Sequence, residues 1–245
     1  VLDLVRAGDR LHEESQGYFD LTLEPLLDLW GFGPRGQGEA VPSEEKLAEV
    51  RQRVGQQHLR IDGEQLCKDA DVQVDFNSIA AGYAVERIVA RLRELGVTSY
   101  LVEATGELKA VGFKPDGSHW RIGLEAPRDD KRVAQRVLQL DGYGISTSGD
   151  YRNYFEENGQ RYSHTLDPLT GRPVSHTLAA VTVADRSTLR ADGLSTLLMV
   201  LGPDAGMAFA ERNGIAAFFV TREGEGFVTH GTAAFEQLFA AGDEQ

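Results

Sequence analysis

Hydrophobic residues recur at helical spacing in several parts of the chain. The clearest case is residues 77–95, where Ile79, Tyr83, Ile88, Leu92 and Leu95 recur close to helical spacing and Gly96 supplies a stop signal. Further helices are predicted over residues 1–16, from Ser43 onwards, over residues 191–201 and over residues 204–213. Pro25 is expected to break any simple helix through residues 21–30.

After Gly96 the period changes, and short apolar runs between turn residues predict strands. They cover residues 100–103, 108–111, 120–124, 136–140, 178–183 and 216–221. An earlier hairpin is predicted around Asp62-Gly63. Because the chain shows no internal repeat and no flexible linker, we predict an α+β fold, a single mixed α/β domain over residues 1–245.

The composition of the chain excludes several classes of function. The chain has 245 residues and a net charge of −13, from 25 Lys and Arg against 38 Asp and Glu. This balance excludes a general nucleic-acid binder, because affinity for phosphates depends mainly on Lys and Arg. A phosphate-bearing ligand is still compatible with this net charge if a divalent cation neutralises the phosphate. The single cysteine, Cys67, excludes an internal disulfide framework and a cysteine-rich zinc module.

The densest polar stretch is residues 144–174, which mixes Ser, Thr, Asp, Arg and His with strong turn formers. A polar hairpin turning at Asn158-Gly159 and Asp167-Pro168 would account for it without any function. The alternative is that His164 lies at the rim of a pocket and acts as an acid or base near neutral pH. The residues alone leave both interpretations open.

A second group of polar residues opens the helix predicted at 191–201. Asp192, Ser195 and Thr196 share one helical face and present one carboxylate and two hydroxyls. Hard oxygen ligands of this kind suit Mg²⁺. Equally, an Asp in a first turn is favoured by the helix dipole, with the two hydroxyls simply filling space.

Several blocks, in order along the chain, resemble those of the ApbE family, the FAD:protein FMN transferases. The first two resemble its F-D-x-T…L-W-G-F-G and D-x-x-x-I-A-K-G-Y blocks. The later ones resemble its T-S-G-x-Y-x-N, S-H-x-x-D-P-x-T-G-x-P and D-A-x-x-T…L-G blocks. In this chain the blocks are Phe19–Thr22 with Leu29–Gly33, Asp75–Tyr83, Thr147–Tyr154, Tyr162–Pro173 and Asp192–Gly202.

The resemblance implies a reaction. It is the Mg²⁺-dependent transfer of FMN from the substrate FAD to a Thr hydroxyl of an acceptor flavoprotein, which forms a phosphoester bond and releases AMP. By position, the family's catalytic base falls on His164. The Mg²⁺ ligands fall on Ala80, Asp192, Ser195 and Thr196. The flavin contacts fall on Tyr18, Phe19, Asp20, Asn77, Tyr83 and Leu166.

The chain departs from the family pattern in three places. Ala81 stands where the family has a Lys, so any cationic contact from that Lys is lost. Thr105 replaces the first Gly of the family's G-G-E turn, and Thr adopts positive φ less readily than Gly. Because the chain opens at Val1 in a helical pattern without an initiator Met, we expect an N-terminal segment to be missing, and the resemblance implies that this segment contacts flavin.

Two alternative functions are also compatible with the sequence. One is a Mg²⁺-dependent FAD pyrophosphatase that gives FMN and AMP, with water replacing the acceptor hydroxyl. The other is a non-catalytic FAD-binding protein, which the intact Asp192, Thr196 and His164 disfavour but Ala81 and the missing N-terminal segment keep open. The resemblance also implies an acceptor subunit of a membrane-bound redox complex as partner, with no nucleic acid. It implies a periplasmic or exported location, with a lipid anchor at the N-terminus in some members.

Overall fold

The computed structural model describes residues 1–36, 40–125, 134–150 and 153–240. Its helices are α1 (Leu2–Glu14), α2 (Glu24–Trp30), α3 (Glu44–Arg51), α4 (Ala80–Glu94), α5 (Thr188–Arg212) and α6 (Ala233–Phe239), with a 3₁₀ turn at Gln56–His58. Its strands are β1 (Leu59–Asp62), β2 (Gln65–Lys68), β3 (Tyr100–Ala104), β4 (Glu107–Val111), β5 (Trp120–Glu125), β6 (Ala134–Leu140), β7 (Gly144–Gly149), β8 (Tyr154–Glu157), β9 (Gln160–Ser163), β10 (Leu166–Asp167), β11 (Arg172–Pro173), β12 (Leu178–Asp185), β13 (Ala216–Glu223) and β14 (Gly226–Gly231).

These elements form two compact units, each built from two separate stretches of chain. The first unit comprises Val1–Ser78 and Arg152–Ser175. The second comprises Ile79–Tyr151 and His176–Gln245. The organisation as one domain over residues 1–245 stays a prediction.

The first unit contains helices α1, α2 and α3 and the hairpins β1–β2, β8–β9 and β10–β11, and residues of α2, α3, β8 and β10 form a small apolar core. The core brings together Leu26, Trp30, Leu47, Phe155 and Leu166, which come from both stretches of chain. The indole nitrogen of Trp30 also donates a hydrogen bond of 2.9 Å to the carbonyl oxygen of Gly171. This bond ties α2 to the β10–β11 hairpin.

In the second unit, six antiparallel strands form one sheet in the order β14-β13-β12-β7-β4-β3. Helices α4 and α5 pack against the sheet, α4 through Val85 and Val89 onto Tyr100 and Val102 of β3. Residues of β7 alternate between two faces, so Ile145 joins a second apolar cluster with residues of β6, β13 and α6 while its neighbours face the other way. The members of that cluster include Leu138, Leu140, Phe218, Phe235 and Phe239.

Helix α5 is the central helix of the second unit. Gly202 has non-helical angles (φ 79°, ψ −174°) and is followed by Pro203, so the helix is kinked there. By length and composition alone α5 could cross a membrane, the one such helix among the described residues. However, 61% of its apolar window is buried inside the protein, as is usual for the core helix of a globular fold.

The structure confirms the α+β fold and most of the predicted elements. Helices predicted at 1–16 and 77–95 correspond to α1 and α4, and the interval between the helices predicted at 191–201 and 204–213 is the kink of α5 at Gly202-Pro203. The hairpin predicted around Asn158-Gly159 is β8–β9, with both turn residues at positive φ. As expected from Pro25, no helix runs through the whole of residues 21–30, because α2 begins only at Glu24. Pro25 lies in the first turn of α2, where a missing N–H breaks no helical hydrogen bond.

Candidate active site

Asp192 lies in the second turn of α5 and is 5% exposed. Its Oδ2 accepts a hydrogen bond of 2.8 Å from the backbone N–H of Gly82 in α4. The two helices approach closely at this point, since a Cβ on Gly82 would lie 2.4 Å from the carbonyl oxygen of Thr188 and 2.8 Å from Cβ of Asp192. A glycine is therefore required at position 82, and this requirement explains the Gly of the Asp75–Tyr83 block.

Serine hydroxyls from β7 surround the same turn of α5. Ser195 is fully buried, and its Oγ lies 3.1 Å from Oγ of Ser146, 2.9 Å from Oγ of Ser148 and 2.9 Å from the carbonyl oxygen of Asp192. A carbonyl only accepts, so Ser195 donates its one proton to Asp192, and its oxygen lone pairs remain for the two serine hydroxyls. The assignment of Ser195 as a metal ligand stays a prediction, but the geometry gives this hydroxyl a structural role.

Burial, as the main cause, and the nearby charge of Glu107 raise the pKa of the Asp192 carboxyl to about 7, against the lowering effect of the Gly82 N–H and the Ser146 hydroxyl. Burial also raises the pKa of Glu107. Both carboxylates are costly to ionise in this environment, and no ion pair joins either of them to a basic side chain in the described parts of the chain. A bound cation would relieve that cost.

The remaining predicted metal ligands lie close in sequence to these residues. Thr196 is partly exposed on α5, next to Ser195, and Ala80 is the first residue of α4, two positions before Gly82. Among the described residues no cluster of three His, Cys, Asp or Glu side chains could hold a metal. The available donors are a carboxylate, a hydroxyl and a backbone carbonyl, which suit a hard cation that keeps part of its water shell.

His164 lies in the first unit, directly after β9. Its Nδ1 and its backbone nitrogen both lie 3.1 Å from the carbonyl oxygen of Asn153. A carbonyl only accepts, so Nδ1 carries the proton in the neutral ring and Nε2 is the basic nitrogen. The ring of Phe32 lies edge-on to the imidazole at 6.4 Å between centroids. The hairpin thus presents an oriented imidazole. Tyr151 and Arg152, which belong to the preceding block Thr147–Tyr154, lie outside the described residues.

The predicted flavin contacts near residue 19 lie on the turn after α1. Phe19 is buried, with its N–H bonded to Oγ of Ser15 and its carbonyl to Nδ1 of His12. Asp20 turns its carboxylate onto the protein: Oδ1 accepts from N and Oγ1 of Thr22, and Oδ2 from N of Gln56. Asp20 therefore shapes this turn. Its contact with flavin stays a prediction.

The other predicted flavin contacts differ in their exposure. Leu166 is buried in the core of the first unit, whereas Tyr18 is partly exposed and Asn77 is exposed. The N–H of Asn77 is bonded to Oδ1 of Asp75, and Tyr83 is partly exposed on the first turn of α4 in the second unit. Tyr18, Asn77 and Tyr83 thus keep surface for a ligand, and Phe19 and Leu166 act mainly as core residues.

Sequence reasoning missed the part that Glu107 plays beside Asp192. The only signal was its place in the Thr105-Gly106-Glu107 turn between β3 and β4. Thr105 does adopt the left-handed conformation there, with φ 57°, and its hydroxyl lies 3.3 Å from Oε2 of Glu107. A β-branched residue in this conformation is uncommon and strained. Strain of this kind is found most often at functional sites.

Comparison with known proteins decides the family. The model of the ApbE family matches residues 1–219. The chain belongs to the ApbE family. Among curated relatives, FAD:protein FMN transferase from Vibrio cholerae is 42% identical over 98% of this chain and 72% of its own length. The protein of the same name from Escherichia coli K12 is 37% identical over 98% of this chain and 70% of its own.

Solved structures agree with this assignment. The apo flavinyl transferase ApbE from Pseudomonas stutzeri is 67% identical, with a TM-score of 0.92 over 99% of this chain and 75% of that one. The ApbE protein from Thermotoga maritima is 30% identical, with a TM-score of 0.85 over 97% of this chain and 77% of that one. The chain therefore has the ApbE fold.

Proposed function

We propose that this chain transfers FMN from FAD to a threonine hydroxyl of an acceptor protein, in a reaction that depends on Mg²⁺. The observation that carries the proposal is the desolvated Asp192 carboxylate, fixed by the Gly82 N–H in a protein whose relatives are named FAD:protein FMN transferases. A buried carboxylate without a basic partner is suited to a divalent cation, and a protein of net charge −13 needs one to hold a pyrophosphate.

The residues of the second unit fit such a cation. Asp192 supplies the charge, and Thr196 and the carbonyl of Ala80 supply neutral oxygens. When bound, Mg²⁺ neutralises phosphate oxygens and so makes the phosphorus open to attack. The chain's own contribution is to hold these oxygens on two closely packed helices, where Gly82 and Ser195 fix the position of Asp192.

His164 acts as the general base in this proposal. Its Nε2 accepts the proton of the acceptor hydroxyl, while Nδ1–H stays bonded to the Asn153 carbonyl. The threonine oxygen then forms a bond to the FMN phosphorus, and the bond from that phosphorus to the bridging pyrophosphate oxygen breaks. AMP leaves with the electron pair of that bond. The atoms balance without a nucleophilic Cys or Ser of the enzyme.

The test is the intact mass of an acceptor domain after incubation with this chain, FAD and Mg²⁺, with an EDTA control. We expect a gain of one FMN minus water, and none with EDTA. His164→Ala should slow transfer by roughly 10²–10⁴-fold and leave FAD binding largely unchanged. Asp192→Asn should abolish labelling. Free FMN and AMP without a mass gain would instead identify an FAD pyrophosphatase.

The location and the partner rest on the family resemblance. We propose a periplasmic or exported protein whose acceptor is a flavoprotein subunit of a membrane-bound redox complex. Fractionation of cells that express the natural protein, followed by mass spectrometry of FMN-labelled peptides, tests both parts. Labelled peptides from cytoplasmic proteins alone would contradict the proposed location and partner but not the proposed reaction.

A further inference from the structure

Glu107 and Ser146 lie opposite each other on neighbouring strands. In the β4–β7 pair, Leu108 faces Ile145 and Lys109 faces Gly144, and the antiparallel register continues to Glu107 and Ser146. The hydroxyl of Ser146 donates to Oε1 of Glu107 at 3.4 Å and also lies 3.1 Å from Oγ of Ser195. The sheet thus places a second carboxylate one hydroxyl away from the turn of α5 that carries Asp192.

Both oxygens of Glu107 are held by hydroxyls. Oε2 lies 3.3 Å from Oγ1 of Thr105, whose backbone is in the left-handed conformation. Ser146 holds Oε1 and also lies close enough to Asp192 to lower the pKa of its carboxyl. Among the described residues, no Lys, Arg or His forms an ion pair with Glu107. The Thr105 and Ser146 hydroxyls therefore orient this carboxylate but do not neutralise its charge.

We propose that Glu107 is a positioning residue for the divalent cation of the Asp192 site and acts through Ser146. This inference rests on the proposed function. Mg²⁺ keeps several of its waters in protein sites, so a carboxylate outside the direct ligand set can hold it through charge and water. Carboxylates that lie behind the direct ligands of a metal change its affinity by about 10–100-fold. Glu107 is therefore part of the cation site, although it is not a direct ligand in the family's ligand set.

The experiment compares Mg²⁺ binding to the wild-type chain and to Glu107→Gln by isothermal titration calorimetry. Glu103→Gln is the matched control, since Glu103 lies on the adjacent strand β3, is exposed and repels Glu107 without touching Ser146. We expect Glu107→Gln to weaken Mg²⁺ binding about 10-fold or more and Ser146→Ala to weaken it less. Glu103→Gln should stay within twofold of the wild type.

Thermal unfolding separates this role from a merely structural one. In EDTA, Glu107→Gln should unfold at or above the wild-type temperature, because a desolvated carboxylate has been removed. The rise in unfolding temperature on adding Mg²⁺ should shrink. Equal Mg²⁺ affinity of Glu107→Gln and wild type, or an equal loss in Glu103→Gln, would overturn the inference and leave the Asp192 site intact. If wild type bound no Mg²⁺, the metal part of the proposed function itself would fail.

Discussion

The imidazole of His176 completes a hydrogen bond that Pro203 removes from α5. A helical carbonyl normally accepts from the N–H four residues later, and for Met199 that residue is Pro203, which has none. Nε2 of His176 donates to the Met199 carbonyl at 2.8 Å instead, and Nδ1 accepts from N of Leu178 at 3.3 Å. A Cβ on Gly202 would lie 2.5 Å from the same ring. The His176 ring thus packs against the kink at Gly202 and satisfies the carbonyl that Pro203 leaves without a helical donor.

This arrangement predicts a loss of stability in mild acid. Burial lowers the pKa of His176 below its ordinary 6.5, against the raising effects of the Met199 carbonyl and Asp150, and Arg222 lowers it slightly. The neutral ring is the form that fits, because protonation of Nδ1 would break the bond from Leu178. This stability is present above pH 6.5 and is lost as pH falls towards the folded-state pKa. Urea unfolding from pH 7.5 to 5.0 measures it.

His176→Gln is the matched variant for this prediction. It should lower the free energy of unfolding at pH 7.5 by about 1 kcal/mol, through the weakened bond to Met199. It should also flatten the pH dependence. An unchanged slope in the variant would show that other groups cause the acid sensitivity.

Gly82→Ala should separate α4 from α5. Its Cβ would meet backbone and Cβ atoms that cannot move aside, so we expect a loss of about 1–3 kcal/mol in the free energy of unfolding and a weaker response to Mg²⁺. Gly226→Ala is the control, since its nearest atom is 3.8 Å away. Chemical unfolding of both variants, with and without Mg²⁺, checks this. Equal effects of the two substitutions would refute the close-packing argument.

Thr105→Gly should stabilise the protein. The left-handed conformation at φ 57° costs a β-branched residue about 1–2 kcal/mol, and the greater freedom of Gly in the unfolded chain offsets part of that gain. We expect a net gain of about 1 kcal/mol, measured by thermal unfolding in EDTA. A destabilised variant would mean that the hydroxyl contact to Glu107 outweighs the backbone strain.

The ion pair between Arg222 and Asp150 should be worth more than one at the surface. Both carboxylate oxygens accept from the guanidinium, at 2.6 and 2.9 Å, and Asp150 is 7% exposed. Asp150→Asn should cost about 2–3 kcal/mol, because a partly buried guanidinium loses its charged partner. The exposed pair Glu44–Arg172 is the comparison, and Glu44→Gln should cost about 0.5 kcal/mol or less. Similar losses in the two variants would contradict the role of burial.

Local rules predicted the parts of the fold that depend on neighbouring residues. The helix stop at Gly96, the turn at Asn158-Gly159 and the break at Gly202 all follow from backbone preferences within a few residues. Helix α6 and strand β14 went unpredicted. Helix α6 is short and depends on Phe235 and Phe239 packing against the sheet. Tertiary contacts of this kind leave little trace in a single sequence.

The candidate active site could also be predicted only in part, because it depends on contacts between distant residues. Helical spacing correctly placed Asp192 and Ser195 on one face of α5, but it could not show that β7 would commit the Ser195 hydroxyl to Ser146 and Ser148. The role of Glu107 was hidden for the same reason, since its relation to Asp192 depends on strand register. Similarly, the S-H-x-x-D-P block identified His164, and only the structure shows which ring nitrogen is protonated.

The bond from Trp30 to Gly171 joins residues 141 positions apart, and this spacing governs the order of folding during synthesis. A ribosome adds about 5–20 residues per second, so the indole of Trp30 waits roughly 7–30 s for its acceptor to be made. During that interval Leu26 and Trp30 lack Phe155 and Leu166, the core partners supplied by the later stretch. The earlier stretch of this unit is thus completed only after the later one has been made, and during this interval its apolar residues are open to chaperones and proteases.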